Sequence, residues 1–279
     1  MSLRSLSVSA LLVLSAALCS AAPLRICADP DNLPFSNRAA QGFENRIAVL
    51  LAHDLHREPE FVWARSRKGF LRERFDKAVC DLLMGVPSGV KGVATSAPYY
   101  RSAYVFVTPS REHLRIASFS DPLLNGRRIG LQILEDDLAP PSLPLIREGH
   151  AAQLVGFQSF GNGAGDIVNA VATGRVGVAV VWGPLAGYFA ARRHLPVDLT
   201  PVSPAVDASG IPFTFDMTAG VHQQDRALLD AINRSLAQLQ PQIKRVLAAY
   251  HIPTAPAYSP ATVSSKESPH TAVQRGGTL

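Results

Sequence analysis

The chain has 279 residues, 47% of them hydrophobic and 18% charged, with a formal net charge of +5. Such a composition belongs to a globular protein long enough for one large domain or two modest ones. Basic residues are scattered, with clusters only at 65–68 and 127–128, so a nucleic-acid binder is excluded; the charge fits an acidic protein partner, a negatively charged surface, or no partner at all.

Residues 1–22 read as a cleavable signal peptide, with Arg4 before an apolar run of about 6–18 and small residues at the expected cleavage site. The mature chain is therefore expected to be exported. The apolar run is too short for a membrane span, no other stretch reaches the ~20 residues a span needs, and Leu18 before Cys19 argues against a lipid anchor.

From 24 to 109, short apolar runs at 24–28, 60–63, 82–86 and 103–108 alternate with helical patterns at 43–57 and 69–79. That alternation predicts α/β architecture, a parallel sheet with crossover helices whose ligands sit at the carboxyl ends of the strands. Pro, Asn, Gly and aromatic residues collect at those ends, in DPDNLPF (29–35) and GVPSG (85–89). In the first helix Phe43, Ile47, Leu50 and Leu51 share one face, while Glu44, Arg46, His53 and His56 lie off it. His53 and His56 belong to no recognised metal frame and read as solvated histidines.

Removing the signal leaves Cys27 and Cys80. An oxidising compartment favours a bridge between them, whereas parallel pairing of their strands argues for distance, and both outcomes stand open.

Beyond 109 a polar, Pro/Gly-punctuated passage leads into a second set of elements: RRIGLQI (127–133), LVGF (154–157), a helix through DIVNAVATGR (166–175) and VGVAVVW (176–182). Adjacent prolines break EDDLAPPSLPLIREG (135–149), where Glu135, Asp136 and Asp137 read as a helix start or solvated loop before a cation site. GNGAGDIVNAV (161–171) lacks the Lys-Ser/Thr of a phosphate loop and reads as a turn capped by Asp166. After an irregular passage at 196–210, IPFTFDM (211–217) alternates like a strand, and 225–239 is the strongest helical pattern, followed by a short helix at 241–251. These last helices are expected to cover the first lobe, giving lobe 1 at 23–109 plus 210–252, lobe 2 at 110–209, two hinge crossings with a cleft between, and a disordered tail at 253–279.

The order LRICADPDNLPF, GFENRIAVLLAHDL, CDLLMGVP, APYYRSAYVFV, NGRRIGLQ, GRVGVAVVWGP and ALLDAINRSLAQL resembles, over nearly the whole mature chain, the periplasmic solute-binding proteins of amino-acid type, with the type II periplasmic binding fold. CADPDNLPFSN, GFEN, CD-x-x-MGVP and PYYRSAYVFV together resemble the J-type subfamily associated with PQQ-dependent methanol and alcohol dehydrogenases. The resemblance implies a periplasmic location, an aromatic after the first strand, matched by Phe35, and an acid after Gly-Phe, matched by Glu44. It also implies an Arg near 89, where Gly89 stands, and an Asp at 182, where Trp182 stands, to grip the carboxylate and ammonium of an amino acid. A zwitterion here loses charge-assisted bonds worth roughly 1.5–3 kcal/mol each, so amino-acid transport is the weaker expectation.

The cleft expected to take a ligand or partner is lined by Asp29, Asn32, Phe35, Glu44, Arg67, Pro87, Tyr99, Tyr100, Arg101, Gln132 and Trp182. For Tyr99, Tyr100 and Trp182 the competing reading is packing near the hinge; for Arg67 and Arg101 it is solvent exposure. The same fold hosts exported dehydratases, but no nucleophile, base and orienting residue appear in an order that supplies chemistry, so no enzyme activity and no resident cofactor or metal are expected. The resemblance implies an accessory role in assembly, activation or maturation of a PQQ-dependent alcohol dehydrogenase; the alternative is a transporter's binding protein for an unidentified small solute.

Overall fold

The computed structural model describes residues 22–65, 70, 75, 77–134 and 137–256. The signal segment, Arg67 in the basic turn, most of the expected helix at 69–79, the carboxylates Glu135 and Asp136, and the tail beyond 256 lie outside the described residues.

Strand β1 (Leu24–Ala28) leads through a small hairpin, β2 (Asp31–Asn32) and β3 (Ser36–Asn37), into helix α1 (Phe43–Asp54). The helix enters where Gly42 packs against the Phe35 carbonyl so closely that a Cβ would overlap it at 1.9 Å. Asn45 Oδ1 there accepts the N–H groups of Gly42 and Asn37, both at 3.1 Å, tying the helix start to the end of β3. Strands β4 (Pro59–Trp63) and β5 (Leu82–Pro87) flank β1 in parallel, with Ile26 in register with Phe61 and Leu82. A short β6 (Ala94–Thr95) precedes the long β7 (Tyr100–Pro109).

The second lobe builds a matching unit. β8 (Ile129–Leu134) and β9 (Asp137–Leu138) form a hairpin, followed by α2 (Ser142–Arg147), β10 (Leu154–Gln158), α3 (Asp166–Ala172), β11 (Val178–Trp182), α4 (Gly183–Arg192) and β12 (Val197–Pro201). β13 (Thr214–Val221) returns to the first lobe, where α5 (Arg226–Gln238) and α6 (Gln240–Ala249) follow. The strand order is β10-β8-β11-β7-β13-β5-β1-β4, so a single hydrogen-bonded path runs through both lobes.

Two strands make that continuity possible. β7 pairs antiparallel with β13 over Tyr100–Ala103 and then with β11 over Tyr104–Val107, and β13 goes on to pair with β5. The run expected at 103–108 is therefore not a fourth parallel strand. It spans the junction, and burial on both faces at Ser102–Pro109 removes the alternation that distinguishes an antiparallel strand. The passage expected to be irregular at 196–210 contains β12, which also pairs with β7; five residues ending in proline carry little periodicity of their own.

Each lobe has its own apolar core. Phe43, Ile47 and Leu51 of α1 pack with Leu229, Ile232 and Leu236 of α5 and Ile243 and Leu247 of α6 over β1, β5 and β13. Asp225 caps α5 by accepting the Leu228 N–H at 3.0 Å, a contact worth ~1 kcal/mol. Around β8, β11 and the far half of β7, Val105, Val107, Ile167, Val171, Val181 and Leu185 fill one side of the sheet, and Phe106, Ile116, Ile129, Leu131, Val180 and Phe213 the other. Asp166 is the first residue of α3, not its cap; Gly165 holds that position, and the Asp166 carboxylate meets Arg193 at 3.3 Å.

Cys27 and Cys80 form a disulfide with Cα atoms 5.5 Å apart. β1 and β5 set Cys27 beside Leu83, and distance would follow if the chain before β5 continued along the strand. Instead Cys80 turns into an apolar cluster with Cys27, Phe75, Leu83, Val86 and Val93. At the other end of the chain, Pro253 accepts a hydrogen bond from Ser102 Oγ at 2.6 Å and the Ala255 N–H donates to the Arg101 carbonyl at 2.8 Å, tying residues 253–255 to the junction strand. Among the described residues no helix is long and apolar enough to cross a membrane.

Candidate functional site

The carboxyl ends of β5, β8 and β11 and the junction strands β7 and β13 converge on a cleft cavity of about 270 Å³. Asn32, Phe35 and Pro87 line it from the first lobe; Gln132, Leu134, Ser159, Phe160, Trp182 and Leu185 line it from the second; Tyr104, Phe215 and Met217 form its floor along the junction. Among the described residues none of the side chains lining it is charged.

Trp182 stands at the end of β11, where the chain turns into α4. Its backbone N–H donates to Gln132 Oε1 at 2.6 Å, and Gln132 Nε2 donates to Ser159 Oγ at 3.3 Å, so one buried amide joins the ends of β8 and β11 and the loop after β10. The indole meets Tyr104 edge-on at 5.4 Å between centroids and Phe215 at 5.7 Å. Such edge-to-face pairs hold rings in fixed orientation at about 0.5–1.5 kcal/mol each. The cleft is an aromatic surface with Asn32, Gln132 and Ser159 among its lining residues.

A second cavity, of about 250 Å³, lies within the first lobe and meets the cleft at Asn32 and Pro87. Its walls include Ile26, Phe61, Phe70, Met84, Val86 and Val90, and its polar groups include Asp29, Glu44 and Asn45. Asp29 Oδ1 accepts the Asp31 N–H at 2.8 Å, and its carbonyl accepts Ser36 Oγ–H at 2.8 Å. Glu44 accepts a long bond from Tyr99 Oη at 3.4 Å, while Tyr99 Oη accepts the Gly85 N–H at 2.9 Å. Burial among these apolar groups pushes the Glu44 carboxyl up to about 8, against the smaller opposing effect of the Tyr99 bond. At neutral pH Glu44 is mostly a carboxylic acid and so a hydrogen-bond donor. Gly85, with φ +68°, leaves the carboxyl its room: a Cβ there would stand 2.2 Å from Oε1.

The residues expected at the site divide between these places. Asn32, Phe35, Pro87, Gln132 and Trp182 line the cleft; Asp29 and Glu44, again with Asn32 and Pro87, line the first-lobe cavity, which Cys27 also borders. Tyr99 and Tyr100 are buried in the first-lobe core, 5.0 Å apart at their ring centroids, and burial raises both phenols well above their usual range. Arg101 lies on β7 and pairs with Asp216. The aromatic cleft residues Tyr104, Phe160 and Phe215 and the first-lobe Asn45 are additional. Tyr104 and Phe215 fall on the strands that join the lobes, a shared position that only the long-range pairing of β7 and β13 reveals.

No family model matches the chain. Protein MoxJ of Methylorubrum extorquens AM1 is 31% identical over 253 residues, 85% of this chain and 83% of that protein. The crystal structure of MxaJ from Methlophaga aminisulfidivorans MPT superposes with a TM-score of 0.73 at 31% identity, covering 83% of this chain and 100% of that one. The periplasmic binding protein XoxJ from Methylobacterium extorquens AM1 gives a TM-score of 0.70 at 30% identity, covering 84% and 100%. An ancestral cationic amino acid solute-binding protein shares the fold at 18% identity and a TM-score of 0.63, covering 82% and 95%.

Proposed function

This chain belongs to the MoxJ family, whose members have the two-lobed fold of the amino-acid-type periplasmic binding proteins, and from that premise we propose that it is a periplasmic accessory protein for a PQQ-dependent methanol or alcohol dehydrogenase. In this reading residues 1–22 are removed on export, lobe 1 comprises 23–109 plus 210–252, and lobe 2 comprises 110–209. The protein is not itself an enzyme. It takes part in assembly, activation or maturation of the dehydrogenase by docking a segment of that enzyme in the cleft.

The uncharged lining of the cleft carries the reading. A solute-binding site for an amino acid needs charged groups converging on the carboxylate and ammonium. On the resemblance Trp182 takes the place of the ammonium partner and the carboxylate-gripping arginine falls near Gly89, while Arg101 is engaged by Asp216. Phe35, Tyr104, Phe160, Trp182 and Phe215 offer what a protein partner uses instead, rigid aromatic area with a few polar groups beside it. The positive charge of the chain would steer it to an acidic enzyme.

A second reading, a transporter's binding protein for a small solute, draws on the first-lobe cavity. Recovery of untagged mature protein from periplasmic extract, with mass spectrometry of what accompanies it, separates the two. A stoichiometric dehydrogenase subunit supports the accessory role. A stoichiometric small solute with no protein partner overturns it.

A further inference from the structure

The first-lobe cavity has features that partner docking does not use. It lies within one lobe, so a molecule there needs no closure of the cleft. Asn45, only 1% exposed, lines it. Asn45 Oδ1 is taken by the N–H groups of Asn37 and Gly42, and Nδ2, itself buried, has no hydrogen-bond partner among the described residues. A buried donor left unsatisfied costs about 1–3 kcal/mol, and a ligand oxygen would recover it. Glu44 lies next to Asn45 in sequence and lines the same space.

We propose that this cavity binds a compact uncharged molecule with an apolar body and one carbonyl, amide or hydroxyl group, the polar end held by Glu44 and Asn45 and the body packed against Phe61, Phe70, Met84 and Val90. The cavity, at about 250 Å³, lies below the usual ~300–1,000 Å³ of small-molecule sites and so admits a single ring or short chain. A cation would require ionised Glu44, which the apolar walls oppose, Asp29 Oδ1 being already bonded to the Asp31 N–H; an anion would face the Asp29 side chain. The inference stands apart from the docking reading, because its ligand is small and its walls belong to the first lobe.

Three probes of one shape test it: benzamide, benzamidinium and benzoate, with charges 0, +1 and −1. Each is titrated at neutral pH into the full mature chain, followed by amide chemical shifts. Benzamide is expected to shift the resonances of Glu44, Asn45 and Gly85, with both charged probes weaker by at least about tenfold. Glu44→Gln, neutral at every pH, is expected to retain benzamide binding, and Val90→Trp, which fills the cavity, to abolish it with the urea midpoint retained. Tighter binding of benzamidinium, shifts centred on Trp182 and Phe160, or no shifts at tens of millimolar benzamide would overturn the proposal. Because no dehydrogenase is present, either result leaves the docking reading to its own test.

Discussion

Arg101 and Asp216 face each other across the two strands that join the lobes, with one guanidinium nitrogen, Nη1, 2.9 Å from each carboxylate oxygen. The two residues are in register, Arg101 on β7 and Asp216 on β13, so the ion pair fastens the junction at the level of the backbone pairing. Arg101 is largely buried, its side chain 16% exposed, and Asp216 is more open at 37%. The arginine whose reach into the cleft was at issue is instead a fastening of the hinge.

Arg101→Ala is expected to lower stability by roughly 1 kcal/mol or somewhat more, since one partner is shielded and the other stays partly hydrated. Urea denaturation measures it. Arg101→Lys should lose less, and a midpoint unchanged in the alanine variant would mean that the pair contributes nothing to holding the junction.

Glu44 sets a pH dependence. In the unfolded chain the carboxyl ionises near its ordinary 4.5, whereas in the folded protein it keeps its proton to about 8. Its contribution is fully present below about 4.5 and is lost as pH rises to about 8, with a slope of at most about 1.4 kcal/mol per pH unit. Glu44→Gln is expected to remove this slope, so the variant should gain on the native protein from pH 5 to pH 8 in parallel urea titrations. Equal slopes would show that Glu44 is ionised throughout.

The disulfide closes a separation of 53 residues, for which chain entropy gives roughly 4 kcal/mol. Cys27→Ser together with Cys80→Ser, or reduction of the native protein, should lower the denaturation midpoint by a corresponding amount. The loss should be felt first at β1 and β5, whose ends carry the first-lobe cavity, and amide exchange at Leu83–Val86 reports it.

Local signals were legible where a stretch carried its own period. The apolar stripe of Phe43, Ile47 and Leu51, the helical pattern at 225–239 and the strand-length run before Asp29 each correspond to an element of the fold. Phe35, Gln132 and Trp182 were also within reach, because ligand-facing positions follow strand ends. What escaped depends on long-range pairing. β12 becomes a strand only against β7, Tyr104 and Phe215 reach the cleft only because two distant strands lie side by side, and the bridge between Cys27 and Cys80 depends on a turn before β5. Asn45 was visible within GFEN, but its unsatisfied amide appears only when Asn37 and Gly42 fold around its oxygen.

The central claim is that the cleft receives a segment of a PQQ-dependent dehydrogenase. Leu134 offers the cleanest probe, since it lines the cleft yet is 38% exposed, so a charge there disturbs the docking surface with little effect on packing. The decisive measurement is the affinity of the purified dehydrogenase for the native chain and for Leu134→Asp, with urea midpoints in parallel. The account predicts binding by the native chain, weakened at least about tenfold in a variant of unchanged stability. Equal affinity for both, or no binding by the native chain, would contradict it.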